Sequence, residues 1–203
     1  MPVSTVSIAV GQWFTTGEGV RWWFDSGSFA LDFAYTGQIG GLRTDEQLHA
    51  PDDLTRWLHE RFPMPVGAAR SRDLFDAVAL RDAISRMAVA ASQGEAVRAA
   101  DVDLVNLYAA TPDIPPSLLG GTRQAGRSVQ TVAQALSTIA RDAVDLFGPA
   151  NAERIRCCSS GDCEVVYLDT SRAASRRWCS MQRCGNRAKV RAHRARKAGR
   201  VAA

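Results

Sequence analysis

The sequence predicts an α+β protein. A mainly helical N-terminal domain with a small β element spans residues 1–150, and a treble-clef-like cysteine module spans 151–203. Three observations predict this. Apolar residues recur at helical spacing in several stretches before Gly148. An aromatic-rich stretch between residues 20 and 36 reads as extended. All five cysteines follow Arg156, and a dense run of Arg and Lys follows them.

Taken in order, Val20–Asp25 and Phe29–Tyr35, separated by Ser26-Gly27-Ser28, predict a β-hairpin. Thr36–Thr44 contains three glycines and reads as a loop. A helix starts at Pro51, with Asp52 and Asp53 in its first turn and Leu54, Trp57, Leu58 and Phe62 on one face. Ser71 is placed to cap a longer helix whose stripe includes Leu74, Phe75, Val78, Leu80, Ile84, Met87 and Val89 and which stops near Gly94. Asp101 is placed to cap a short helix through Leu104, Val105, Leu107 and Tyr108. Pro112, Pro115 and Pro116 then break the chain. A third long helix is predicted over Val129–Leu146, with Val132, Leu136, Ile139, Ala143 and Phe147 on one face, ending at Gly148-Pro149. Amphipathic helices of this kind need one another to bury their stripes. Beyond the boundary at 148–153, Glu164–Asp169 reads as a short strand, and a basic helix runs from about Cys184 to Lys197.

Composition is that of a soluble globular chain, with no apolar run long enough for a transmembrane helix. The first residues lack a basic segment followed by an apolar core, so a cytoplasmic location is expected. Charge is divided unevenly. Residues 1–153 carry 12 Arg against 18 Asp or Glu, a net −6, and residues 154–203 carry 13 Arg or Lys against 3 acids, a net +10. Such asymmetry points to two units with different partners.

Clustered cysteines in a reducing compartment bind metal more often than they form disulfides. Cys158-x4-Cys163 and Cys179-x4-Cys184 are two pairs separated by a short connection, the pattern of a tetrahedral thiolate zinc site. By spacing alone Cys157 serves as well as Cys158, and the x4 of the second pair favours Cys158. Four thiolates around a divalent cation leave two excess negative charges, which Arg156, Arg183 and Arg187 are placed to offset. Four protein ligands leave no position for a reacting water, so the predicted zinc is structural.

On the final helix only Ala188, Ala192 and Ala195 form an apolar stripe. Arginines at i,i+4 repel one another in isolation, so a neutralising partner is expected. Arg187, Lys189, Arg191, His193 and Arg194 are the candidate nucleic-acid contacts. If about six cations met phosphates, log affinity would fall with log salt at a slope of roughly −5. DNA is the first expected partner. An RNA- or protein-binding adaptor with a structural zinc is the alternative.

The N-terminal domain shows no catalytic triad spacing, phosphate-binding glycine loop or dinucleotide fingerprint, and His49, His59 and His193 form no metal pair. No enzymatic activity is expected. Trp22, Asp32 and Arg43, with Trp13 and Trp23 nearby in sequence, form a candidate ligand pocket, set against the simpler expectation that the tryptophans are core.

The motifs Cys158-x4-Cys163, Leu168-Asp169-Thr170-Ser171-Arg172, Ser175-Arg176-Arg177-Trp178-Cys179-Ser180-Met181 and Cys184-Gly185-Asn186-Arg187-Ala188-Lys189 closely resemble the CGNR zinc finger. Upstream, Leu31-Asp32-Phe33-Ala34-Tyr35-Thr36, Asp53-Leu54-x-x-Trp57 and Leu80-Arg81-Asp82-Ala83-Ile84 resemble the ABATE domain that accompanies this finger, a family of stress-induced transcription regulators. The pattern departs at Tyr35, where the family usually has Asn. The resemblance covers nearly the whole chain. From the charge split and the cysteine module, an N-terminal domain that senses a small-molecule or other signal or forms a homodimer is expected, and the resemblance itself implies a bacterial zinc-binding protein and DNA-binding regulator. It also implies Cys158 as the ligand, Trp178 as core beneath the metal, and Asp169 and Asn186 bonded to backbone or to Arg172.

Overall fold

The computed structural model describes residues 8–15, 19–40, 45–63, 65–112 and 129–201, with side chains to Lys197. Arg43, Pro115 and Pro116 lie outside the described residues. The architecture is α+β. Strands β1 (Gln12–Thr15) and β2 (Arg21–Phe24) form an antiparallel hairpin, with Trp13 opposite Trp23 and Phe14 opposite Trp22. Helices α1 (Phe29–Ala34), α2 (Pro51–Arg61), α3 (Ser71–Gln93), α4 (Ala99–Ala109) and α5 (Val132–Phe147) follow. A second antiparallel pair, β3 (Ile155–Cys157) and β4 (Val166–Leu168), precedes helix α6 (Asn186–Val201). None of the described helices is long and apolar enough to cross a membrane.

The hairpin expectation is corrected. Val20–Asp25 contains a strand, but its partner is Gln12–Thr15, and Phe29–Ala34 is a helix. The reason is burial on all sides. Every residue of α1, Asp32 included, is buried, so neither a period of 2 nor of 3.6 shows in its sequence. Asp142 of α5 holds the start of α1, accepting from the Ser28 hydroxyl at 2.6 Å and the Ala30 N–H at 2.8 Å. That carboxylate satisfies an N-terminal donor that α1 cannot satisfy internally.

Three helix starts also differ. Ser71 is the first helical residue rather than the cap, and the Asp73 carboxylate instead accepts the Arg70 N–H at 2.8 Å. Asp101 sits inside the first turn of α4, buried, where it holds the Arg86 guanidinium of α3 at 2.6 Å. The last long helix begins at Val132, because Thr131 and Gln134 close a reciprocal capping box at 3.2 and 3.0 Å. Phe75 and Leu107, assigned to apolar stripes, are exposed. The helix ends at Gly94 and Gly148 are as expected.

One apolar core runs through the molecule, from Phe24, Phe33 and Leu58 to Ile155, Val165 and Tyr167. The cysteine module therefore packs against the helical part. Asp32 ties the hairpin to that core. Its carboxylate accepts the Gly11 N–H at 2.6 Å and the Ser26 hydroxyl at 2.7 Å, and pairs with Arg61 at 3.2 Å. Burial outweighs these partners and pushes its pKa from 3.8 to about 6. A buried acid with a raised pKa binds its proton more tightly when folded, so stability falls as pH rises between the two values. The shift corresponds to a loss of about 3 kcal/mol across that window. A carboxyl-carbon NMR titration is expected to place the Asp32 midpoint near 6, and Asp32→Asn to remove this part of the pH slope. A midpoint at or below the ordinary Asp value would contradict the assignment.

Candidate metal centre and nucleic-acid interface

The first cysteine pair sits in the connection between β3 and β4. The Cys158 N–H bonds the Val165 carbonyl at 2.9 Å, and Cys163 N–H bonds Ser160 at 2.9 Å, closing the Ser159–Asp162 turn. The second pair enters along Cys179–Gly185. One wide helical turn, Met181–Gly185, with Gly185 N–H bonded to the Ser180 carbonyl at 3.0 Å, carries Cys184 inward before α6 begins. Gly185 leaves room for this turn, since a Cβ there would lie 2.7 Å from the Met181 sulfur.

These segments bring Cys158, Cys163, Cys179 and Cys184 together, all buried, with their sulfurs within 4.8 Å of one another. Cys157 is exposed and outside the group, which resolves the choice between the adjacent cysteines. The Cys163–Cys179 and Cys179–Cys184 sulfurs are 3.7 and 3.5 Å apart. A tetrahedron with 2.3 Å zinc–sulfur bonds has edges of about 3.8 Å, so the cage fits such an ion with little adjustment. No pair is at bonding distance, and all five thiols are free.

With protons rather than a cation in the cage, the thiols compete. Hydrogen bonds from Cys163 and Cys179 hold Cys158 well below the ordinary thiol range. The same contacts with Cys158 push Cys163 up to about 12 and Cys179 higher still. A divalent cation removes this competition by taking all four as thiolates. The Cys179 N–H points at the Cys158 sulfur at 3.4 Å, and Arg187 Nη2 donates to the Cys184 sulfur at 3.2 Å. Of the three expected counter-charges, only Arg187 reaches the cage. Arg183 instead lies over the Trp22 ring at 5.0 Å, and Arg156 is exposed.

The comparison with known families agrees with this geometry. The ABATE family model, described as "Putative stress-induced transcription regulator", matches residues 27–149, and the CGNR zinc finger model matches residues 154–197. The chain belongs to the ABATE family. No protein of curated function matches it.

The CGNR finger is locked to the ABATE domain along the free edge of β4. The Tyr35 hydroxyl, fully buried, donates to the Val166 carbonyl at 2.8 Å and accepts the Val166 N–H at 2.9 Å. One side chain thus replaces a missing strand. The Leu168 N–H bonds the Ser26 carbonyl at 2.8 Å. Gly27, at φ +81°, passes so close that a Cβ would sit 2.4 Å from the Leu168 carbonyl oxygen.

Arg176 is the second fastener. It donates to the carbonyls of Asp25 at 2.8 Å, Cys179 at 2.5 Å and Trp178 at 3.0 Å, and its guanidinium stacks over Tyr167 at 4.2 Å. Arg176→Ala is expected to destabilise the chain by about 3 kcal/mol, since several charge-assisted bonds are lost together. A thermal melt checks this, and a change within a few tenths of a kcal/mol would contradict it. Asp169 accepts the N–H groups of Ser171 at 2.9 Å and Arg176 at 2.8 Å, as its expected backbone role requires. Asn186 bonds the Gln182 carbonyl at 3.4 Å. Trp178 is half-buried, with Arg177 over its ring at 5.1 Å.

Helix α6 leaves the finger at Cys184. Every residue from Lys189 to Lys197 is exposed, and the helix contains no acid. Arg187 and Arg191 both face Asp162, at 3.1 and 3.0 Å. Lys189, Arg194, Arg196 and Lys197 make no ion pair among the described residues, and His193 stands exposed beside them.

Of the candidate pocket residues, Trp22 and Asp32 do other work, and Arg43 lies outside the described residues. Trp22 is buried, stacking on Phe14 at 5.5 Å, and Asp32 is consumed by the network around Gly11, Ser26 and Arg61. Trp13 and Trp23 are partly exposed and are not core. A cavity of about 700 Å³ lies elsewhere, along α3, lined by Glu46, Arg81, Asp82, Arg86, Glu95 and Asp101 among others.

Proposed function

We propose that this protein is a DNA-binding transcription regulator in which a structural zinc ion aims α6 at the DNA backbone. The observation that carries the proposal is α6 itself. About 24 Å of helix projects from the cysteine knuckle, rich in cations and with every described side chain from Lys189 to Lys197 exposed. A helix so poor in packing surface is stabilised by a polyanion that neutralises its like charges. The zinc role is structural because all four ligand positions are protein sulfur. Lys189, His193 and Arg194 are the primary contacts, with Arg196 and Lys197 added to them. Arg187 and Arg191 reach phosphate only while sharing Asp162.

The ABATE domain is assigned the sensing or dimerising role. The charged cavity along α3 supports a small polar effector there. The DNA reading is tested by measuring duplex DNA, structured RNA and heparin at matched salt, followed by footprinting. Preference for duplex with a discrete footprint supports it. Tightest binding to RNA moves the protein to the adaptor reading, and equal binding to heparin reduces α6 to a general polyanion contact.

A further inference from the structure

A second surface adjoins the start of α6. A cleft of about 520 Å³ opens between Trp23 of the hairpin and the Ser175–Gln182 segment of the finger. Trp23, Trp178 and Met181 supply its apolar lining, and Arg176 and Arg177 its charge. Trp23 is 41% and Met181 51% exposed, an unusual amount of large apolar surface to leave beside water in one place.

The aromatic surface is rigid. The Trp23 ring packs directly on Gly11, where a Cβ would lie 2.4 Å from the ring's Cζ2, and Gly11 holds φ +108° to permit it. Trp13 meets the same ring edge-on at 5.5 Å, with Arg21 over Trp13 at 4.9 Å. On the finger side, Trp178 abuts Gly185 at the root of α6. A fixed tryptophan face, arginines around it and a cationic helix leading away are the parts of a single-strand nucleic-acid platform.

We propose that this cleft receives an unstacked nucleobase, stacked on Trp23, from a strand whose phosphates run onto α6. The inference rests on the nucleic-acid reading above and adds a base-contacting site to it. One carboxylate, Asp25, also lines the cleft, and its Oδ1 accepts the Gly27 N–H at 2.9 Å.

The test compares a short oligothymidylate with an abasic strand of the same length, so that phosphates match and only bases differ. The metal-loaded full chain is expected to bind the base-bearing strand about tenfold more tightly, the scale of one good base–aromatic stack. Trp23→Ala is expected to abolish that ratio and Trp23→Phe to keep most of it, with metal content and circular dichroism of both variants unchanged. Equal affinity for the two strands, or a ratio that survives Trp23→Ala, overturns the proposal. If duplex DNA binds while the two strands bind alike, the cleft assignment alone falls. If no nucleic acid binds, both readings fall together.

Discussion

Cys184→Ser is expected to abolish metal binding and unfold the finger. The module has few large apolar residues of its own, chiefly Ile155, Val165, Val166, Tyr167, Leu168 and Trp178. Its connections around the cage are mostly turns, so the ion replaces a core. Structural zinc contributes on the order of 10 kcal/mol or more to such units. The damage spreads, because an unfolded finger strips Val166 from the Tyr35 hydroxyl and leaves that buried group unpaired. Metal analysis of protein purified without chelator is expected to give one zinc per wild-type chain and none for Cys163→Ser or Cys184→Ser. Chelator should reproduce the loss of fixed structure seen by near-ultraviolet circular dichroism. Cys157→Ser should keep its full metal, since that thiol is outside the cage. Full metal in Cys184→Ser, or a disulfide in its place, would contradict this assignment.

The second large effect lies on α6. Replacing Lys189, Arg194 and Arg196 together by alanine removes three exposed cations that have no acidic partner among the described residues. Each phosphate contact contributes a salt slope of about −0.9, or about eightfold in affinity between roughly 1 M and 0.1 M salt. Three contacts amount to a loss of about 500-fold near 0.1 M salt, with the slope shallower by about 3. Alanine suits a helix, so the fold and metal content should hold. Unchanged affinity at low salt would remove α6 from the interface.

The cysteines and basic helix were legible because their chemistry is local. Two x4 pairs predict a tetrahedral cage without knowledge of the fold, and a helix exposed from Lys189 to Lys197 has little packing there to modify its pattern. The helices α2, α3 and α5 were legible because one face of each meets solvent. Phe29–Ala34 was not, since full burial erases the period that distinguishes helix from strand. The fasteners between the two parts were hidden for another reason. Tyr35 with Val166 and Arg176 with Asp25 are side chains meeting backbone, and Ser26 with Leu168 is backbone meeting backbone, each across more than a hundred residues. Backbone carbonyls leave no mark in a sequence. Asp162 is hidden likewise, because nothing local to its turn shows that it faces Arg187 and Arg191.

Whether a zinc-held cationic helix meets the DNA backbone is decided by the equilibrium affinity of the metal-loaded full chain for duplex DNA between about 50 and 200 mM salt. Measurable binding is expected at the low end, with a log–log slope of roughly −5 from about six phosphate contacts. Absence of binding at the low end, or an affinity indifferent to salt, would contradict it.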